Sequence, residues 1–481
     1  MESIHLKTVD PTSQGLLRAA AQRGIDLNWE RYERQQPQDG FLRVGLACPY
    51  GCMQGPCRID PFGRGANTGL CGLGRDGMVA AMLLRLAVNG ALEAMNFAGK
   101  PDELPAPRWP KALASLADKA TAKLGGGALS ASEAFSGAAA LAGPGEPAPA
   151  LVRRALRLGL LTLGLSGVRR SRAAAGKAAF KVGLGVLAGN RPTIGVCGMA
   201  PPSLVDSLVK AAGAKTHVVS LGTWAGGKAL LPMACTFGEA ELVISSGAID
   251  AVVYEPVTGA AVPALCAKLG IPAVAVADAD VKKLVAAAAK VHGKSSFAAD
   301  PAQVAEGEIV TSTAVADNLK AHKKLDLAVI GGPDTLQQSL GSLPTELLSA
   351  LAADCRVATW GDAALWIAKR HFAGGSADVK ASVLDDVRGP LDALEAAANA
   401  GGLKRLRGIA FTALAGARDF AIALGAAALG ARVCVAQSLP LWGSEVTRQA
   451  LAEAVGKCGG AFAHFDHPAT ADEIRAWFNQ R

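Results

Sequence analysis

The chain has 481 residues, half of them apolar and only 5% aromatic, and a formal net charge of +8. That length holds two or three domains with sizeable cores, and a chain rich in Ala and Gly suits helices packed on short parallel strands better than a β-sandwich. The positive excess is spread thinly and no RNA- or DNA-binding signature accompanies it, so it does not argue for nucleic acid. The start, Met1-Glu-Ser-Ile-His-Leu-Lys7, lacks a basic stretch followed by an apolar core, so no secretion signal is expected. Ten cysteines then point to a reducing cytoplasm, with metal ligation favoured over disulfides.

Taken in order, the apolar spacing of Leu16, Leu17, Ala20 and Ile25 predicts a helix over 13–36, ended by Pro37. A Gly- and Pro-rich loop follows that carries Cys48, Cys52, Cys57 and Cys71, with gaps of three, four and thirteen residues. Four thiolates closing on a flexible loop are how a chain wraps one metal centre. The spacing favours a [4Fe–4S] cubane, because Cys₄ zinc usually wants two CxxC knuckles with a longer spacer. Zinc and a pair of disulfides are the alternatives.

Residues 73–97, with Met78, Met82, Leu86 and Leu92, predict a buried helix leaving the loop, and 111–124 a shorter one. From Ala134 to Ala150 the chain collapses into Gly, Ala and Pro, which reads as a linker or mobile loop. Between Pro147 and Val205 there is no acidic residue, but there are nine basic ones: Arg153, Arg154, Arg157, Arg169, Arg170, Arg172, Lys177, Lys181 and Arg191. They flank an apolar run, Leu158–Val168, too short to span a bilayer. A solvated helix of the N-terminal domain is the first expectation for this 153–191 segment. Docking on an acidic partner protein and contact with the inner face of a membrane come behind it.

From Arg191 strands alternate with helices. Strands are expected at 192–198, 217–221, 251–254 and 273–277, with helices over 203–212 and 237–246 between them. A second unit begins at Leu325 and continues through 357–360, 408–412 and 432–436. The fold expected is α/β: an N-terminal helical cluster-binding domain over 1–190, then two doubly wound, Rossmann-like parallel-sheet domains over 191–322 and 323–481. Neither unit carries a GxGxxG loop, so no dinucleotide is implied. Ligands of such sheets sit beyond the carboxyl ends of strands. The loops to inspect are therefore 198–202, 255–259, 331–335, 361–364, 415–419 and 439–444.

The remaining cysteines, Cys197, Cys235, Cys266, Cys355, Cys434 and Cys458, are scattered singly and read as core packing. His217, His322 and His371 have no partner at ligand spacing. Glu239 and Glu241 stand two apart on a predicted helix, which suits solvent rather than paired acid–base work.

Residues 13–95 resemble the anaerobic nickel carbon monoxide dehydrogenases, distant cousins of the hybrid-cluster proteins. The likeness is carried by Arg31-Tyr-Glu-Arg-Gln-Gln-Pro-Gln38, Gly45-Leu46, Gly55-Pro-Cys-Arg-Ile-Asp-Pro-Phe-Gly63 and Gly69-Leu-Cys-Gly72. The resemblance implies that Cys48, Cys52, Cys57 and Cys71 ligate one cubane within the subunit, with one extra residue between Cys48 and Cys52. It implies a second cubane shared across a dimer axis, but its two ligand positions are Asp39 and Ala47, so that cluster should be missing. The family's nickel–iron–sulfur cluster should also be missing, because its ligand positions fall near Met199, Ser220–Gly222, Thr258, Pro333, Asp362 and Ala417. The family's catalytic lysine falls on Val446. Side chains of Pro, Ala and Val cannot ligate iron or nickel.

The expectation is therefore a single-cluster, non-catalytic relative that transfers electrons, or plays a structural part, within a larger redox complex. Its partner would be a redox protein, reached through the basic 153–191 segment. The alternative is an oxidoreductase whose vacated pocket, with Glu255, Asp362, Arg418 and Asp419 facing it, binds a different cluster or an organic substrate.

Overall fold

The structure, a computed structural model, describes residues 6–35, 43–98, 104–168, 179–222, 224–226, 228–256, 260–293, 297–374 and 381–480. Asp39, Thr258, Arg169, Arg170, Arg172 and Lys177 lie outside the described residues.

The first sheet has seven strands: β1 (Ala179–Val182), β2 (Thr193–Cys197), β3 (His217–Gly222), β4 (Met233–Thr236), β5 (Ala251–Tyr254), β6 (Ala273–Ala275) and β7 (Ala305–Glu308). Their order is β6-β5-β2-β3-β4-β1-β7, and every pairing is parallel except β1 with β7. The second sheet orders β8 (Asp326–Gly331), β9 (Cys355–Trp360), β10 (Ser382–Val383), β11 (Leu406–Phe411), β12 (Arg432–Val435) and β13 (Ala461–His464) as β10-β9-β8-β11-β12-β13, all parallel. That is the doubly wound 3-2-1-4-5-6 order, with its switch point between β8 and β11. Strands such as Thr193–Cys197 are buried along their whole length, as parallel strands covered on both faces must be. The first sheet begins at Ala179, thirteen residues before the first strand expected there.

The predicted 13–36 helix is two helices, Pro11–Gln22 and Asn28–Gln35, broken after Arg23 where Gly24 takes a positive φ. Its expected end at Pro37 lies outside the described residues. The stretch expected as a linker is not a continuous loop. Ser132–Ala140 is helical, a turn follows, and the next helix, Ala148–Ser166, opens inside it. Ala is the strongest helix former, and Gly137 lets this short helix lie against Val88 and Leu158.

Helix Ala148–Ser166 agrees with the first expectation for the start of the basic apolar segment, a helix of the N-terminal domain. Leu158 to Leu165 are all buried, packed between helix Arg75–Ala98 and helix Ala417–Ala428, so this run is part of the core. A Cβ at Gly159 would lie 2.6 Å from the Gly425 backbone nitrogen, so only glycine permits that crossing. Arg157 is itself buried and paired with Glu133, Arg154 pairs with Glu146, and Lys181 with Glu306. The helices Arg75–Ala98 and Ala148–Ser166 and one face of the second sheet thus share a single core, while the first two helices pack with the first sheet.

Candidate cluster loop and interdomain cavity

The cysteine loop is held by its apolar anchors. Leu46, Ala47, Tyr50 and Ile59 are buried, and a short antiparallel ladder joins them: Cys48 N–H donates to the Cys57 carbonyl at 2.8 Å and Ile59 N–H to that of Leu46 at 3.0 Å. The Gly55–Pro56 peptide is cis. Asp60 shapes the next turn, accepting from the Phe62 and Arg64 amides at 2.8 Å each. A second bridge, Thr68 with Gly74, brings Cys71 back towards Cys57. Gly69 stands between the two sulfurs: a Cβ there would lie in ordinary contact with both, 3.7 Å from Cys57 Sγ and 3.8 Å from Cys71 Sγ. Leu70 N–H points at Cys57 Sγ, 3.4 Å away.

The structure therefore places Cys57 and Cys71 around one glycine and pairs Cys48 with Cys57 through the backbone, while Cys52 is exposed. Among the described residues, no three His, Cys, Asp or Glu side chains gather at metal-holding distance. The loop nevertheless has the chemistry a cubane needs. All four thiols are free, and an amide already aims at one sulfur. Tyr50, in the lengthened Cys48–Cys52 gap, is buried with a hydroxyl that makes no hydrogen bond. Burial, then the neighbouring Cys48 and Cys71, hold that phenol above its usual pKa.

The loop 439–444, expected to face a ligand, instead buttresses the cysteine loop. Gly443 N–H donates to the Val44 carbonyl, Ser444 Oγ to Asp76 at 2.5 Å, and Gly45, at φ +81°, abuts the Pro440 carbonyl.

The other inspected loops meet at one cavity of about 460 Å³ beyond the carboxyl ends of both sheets. Gly198, Met199, Gly222 and Glu255 reach it from the first sheet, and Pro333, Trp360, Asp362 and Arg418 from the second. Met199, Gly222, Pro333 and Asp362, four of the positions where the resemblance puts lost ligands, thus line one space. Among the described residues, no thiol or imidazole lines it. Val446 is half exposed and lies elsewhere. A separate groove of about 600 Å³, flanked by Arg191, Asp206 and Lys210, shares no residue with this cavity.

Charged side chains stand among the apolar walls of the cavity. Asp362, 6% exposed, accepts from the amides of Asp334 at 3.0 Å and Phe237 at 3.4 Å. Burial, and then Asp334, hold its carboxyl far above the usual range. Burial also raises Glu93. Glu255 accepts from the Met199 amide at 3.2 Å, and Asp419 from the Ala415 amide at 3.0 Å. Arg418 lies 3.9 Å from Glu93, 4.0 Å from Asp419 and 5.0 Å above the Phe97 ring.

Glu93, Phe97 and Asp386 also line it and were not singled out from sequence. A lone acid in the apolar run Ala91-Leu-Glu-Ala-Met95 was the available signal. Glu239 and Glu241, expected in solvent, are buried. Glu241 pairs with Arg31 at 2.5 Å and Glu239 with Lys369 at 2.8 Å. A carboxylate without a cation would not stay inside a core, and both cations come from distant parts of the chain. Of the lone cysteines, all but the half-buried Cys458 are buried and all are free. Burial pushes the thiols of Cys197 and Cys266 up to about 12, the behaviour of inert core residues.

With this geometry in view, the solved structures decide the fold. A Ni-free carbon monoxide dehydrogenase from Thermococcus sp. AM4 superimposes with a TM-score of 0.77 at 18% identity, covering 98% of this chain and 96% of that one. The chain has the carbon monoxide dehydrogenase fold. Carbon monoxide dehydrogenase IV from Carboxydothermus hydrogenoformans gives 0.73 at 19% identity, over 98% of both chains.

Sequence similarity is concentrated in one segment. Carbon monoxide dehydrogenase 1 of Methanosarcina mazei is 49% identical over 85 residues, and the Rhodospirillum rubrum enzyme 47% over 81. Those matches span only 13% and 12% of the relatives' own lengths. No protein-family model matches the chain.

Proposed function

We propose that this carbon monoxide dehydrogenase-like protein carries one [4Fe–4S] cluster on Cys48, Cys52, Cys57 and Cys71 and lacks the nickel–iron–sulfur active cluster. It serves as an electron-transfer or structural subunit of a larger redox complex. The observation that carries this reading is a contrast: four free thiols on the loop, and none in the cavity that the substituted positions line. A cluster on this loop supplies one-electron chemistry. The chain's own part is to present the thiolates, aim the Leu70 amide at Cys57 Sγ and keep Tyr50 against them.

The partner is a redox protein, and its docking face is better supplied by the cysteine loop than by the 153–191 segment. Met53, Phe62 and Leu70 are 95%, 82% and 76% exposed around the cysteines, and Arg58, Arg64 and Arg75 stand exposed beside them. Such a basic rim suits an acidic partner.

A second reading is favoured by the cavity itself. Met199 and Trp360 do not close it; it is open and charged. This supports an oxidoreductase or binding protein whose remodelled pocket takes another ligand.

Metal analysis with low-temperature EPR on anaerobically purified protein, before and after dithionite, tests the first reading. About four irons per chain, one reducible cubane and no nickel are expected. Iron well above four, stoichiometric nickel or nickel-dependent oxidation of carbon monoxide overturns it.

A further inference from the structure

The groove of about 600 Å³ lies on the edge of the first sheet opposite the interdomain cavity. Arg191 precedes β2, His217 opens β3 and residues 230–232 lead into β4, so the groove sits at the amino ends of these strands. Helix Pro202–Ala212 forms its other wall, and Val205, Asp206, Val209 and Lys210 share one face of that helix by their spacing. The groove contains no residue of the cysteine loop, so an occupant there goes beyond the reading above and does not depend on it.

Its charge is positive and not neutralised. Arg191, Lys210 and Lys228 line it against one carboxylate, Asp206. Among the described residues, none of the three cations forms an ion pair or a side-chain hydrogen bond. Asp206 is occupied instead by the Lys228 backbone amide, which donates to it at 2.7 Å. Lys210, in the last turn of its helix, also offsets the helix's partial negative end, which leaves Arg191 the stronger anchor for an anion. Beside Arg191, the half-buried His217 ring makes no hydrogen bond among the described residues. Burial, then Arg191, hold its pKa below the usual value, so the imidazole is neutral at pH 7.

The floor is aliphatic. Val205, Val218 and Leu231 belong to a buried core cluster, Leu230 is partly buried, and Val209 stands exposed at the rim. Among the described residues, no Phe, Tyr or Trp lines the groove, so it offers no aromatic face on which a base could stack. Its volume is that of a small-molecule site. Surplus cations over an aliphatic floor favour a ligand with a negative head and a saturated body, which gains Coulomb attraction from one and burial from the other.

We propose that this groove binds one amphipathic organic anion, a carboxylate or phosphate on an aliphatic chain. Arg191 and Lys210 are the counter-charges of its head, and Val205, Leu230 and Leu231 lie under its chain.

The test is calorimetric titration of the anaerobically purified full chain with octanoate and octyl phosphate, beside octylamine, octanol and acetate. One saturable site per chain is expected for at least one of the two anions, tighter than for any of the three controls by about tenfold. Arg191→Gln and Lys210→Gln, both at exposed positions, should each weaken binding roughly fivefold. Arg153→Gln, which removes an exposed cation far from the groove on helix Ala148–Ser166, should leave it unchanged. Lys228→Gln serves if either groove variant fails to fold by circular dichroism. A bound anion beside the imidazole favours its charged form, so His217 should titrate at higher pH by NMR with octanoate present than without. No saturable heat with either anion, octylamine binding as tightly, Arg153→Gln weakening binding as much as the groove variants, or an unshifted His217 overturns the proposal. Binding to phosphatidylglycerol vesicles with neither free anion saturable also overturns it, because the groove would then read a membrane surface. Iron and nickel content, read on the same preparation, judge the cluster reading separately.

Discussion

Lys369 Nζ lies 2.8 Å from Glu239 Oε2 and 3.4 Å from Asp10 Oδ2, and all three side chains are buried. One ammonium thus ties the first sheet, the second sheet and the N-terminal helix. Ser13 Oγ closes the cluster on Glu239 at 2.6 Å, and the Trp366 ring lies 3.9 Å beneath the ammonium. Burial works against the charged lysine, but Glu239 and Asp10 outweigh it and hold its pKa above the usual value. Removing the cation leaves two buried carboxylates. Lys369→Met should therefore cost roughly 3–5 kcal/mol in chemical denaturation, with part recovered in Lys369→Met/Glu239→Gln. A loss under about 1 kcal/mol would show that the cluster does not join the sheets.

The two classes of cysteine should separate on substitution. Cys57→Ala should abolish the cubane EPR signal and lower iron well below four per chain, because the loop loses the sulfur towards which the Leu70 amide points. Cys434→Ala, in β12 and buried, should keep full iron and lose only modest stability. Equal iron loss in both would sever the loop from the metal.

Tyr50 offers a spectroscopic check on the same loop. Its hydroxyl is buried without a partner beside Cys48 and Cys71. A hydrogen bond from it to a cluster held by these cysteines would stabilise the more negative, reduced state. Tyr50→Phe should lower the midpoint potential by tens of millivolts while leaving iron content unchanged. An unshifted EPR-monitored redox titration would remove Tyr50 from the cluster environment.

Close packing of helices Ala148–Ser166 and Ala417–Ala428 depends on Gly159 and Gly425, each of which would drive a Cβ into the other's backbone. Gly159→Ala should destabilise by roughly 1–3 kcal/mol through overpacking, outweighing the better helix propensity of alanine. A denaturation midpoint at or above that of the wild type would contradict the crossing.

Asp392 supplies a pH signature. It is buried, pairs with Arg388 at 2.8 Å, and has one oxygen without a hydrogen bond. Burial raises its pKa from 3.8 to about 6 in spite of Arg388. A raised carboxyl binds its proton more tightly in the fold, so its contribution is fully present below about pH 4. It is lost as pH rises through about 6, a change of roughly 2–3 kcal/mol. Asp392→Asn lacks that dependence. The stability difference between variant and wild type should drift by this amount between pH 4 and 7, in favour of the variant at the upper end. A constant difference would refute it.

The chain's sequence was most informative where the pattern is local. Cysteine spacing marks the loop at 48–71, and strand–helix alternation marks two doubly wound sheets, because both are written in neighbouring residues. The loops at strand ends named Glu255, Asp362, Arg418 and Asp419 as cavity residues for the same reason: the carboxyl edge of a parallel sheet is set by strand order. Local pattern misled wherever a distant partner mattered. Glu239 and Glu241 read as solvated until Lys369 and Arg31 supplied their counter-charges from 130 and 210 residues away. Leu158–Leu165 could be read only as an apolar run of an N-terminal helix, because the helix that covers it, Ala417–Ala428, comes some 250 residues later. The open cavity, with carboxylates and aromatic rings gathered from helix Arg75–Ala98 and both sheets, was likewise decided only by the tertiary structure. Burial, charge pairing and enclosed space are properties of contacts between remote segments, and no local spacing encodes them.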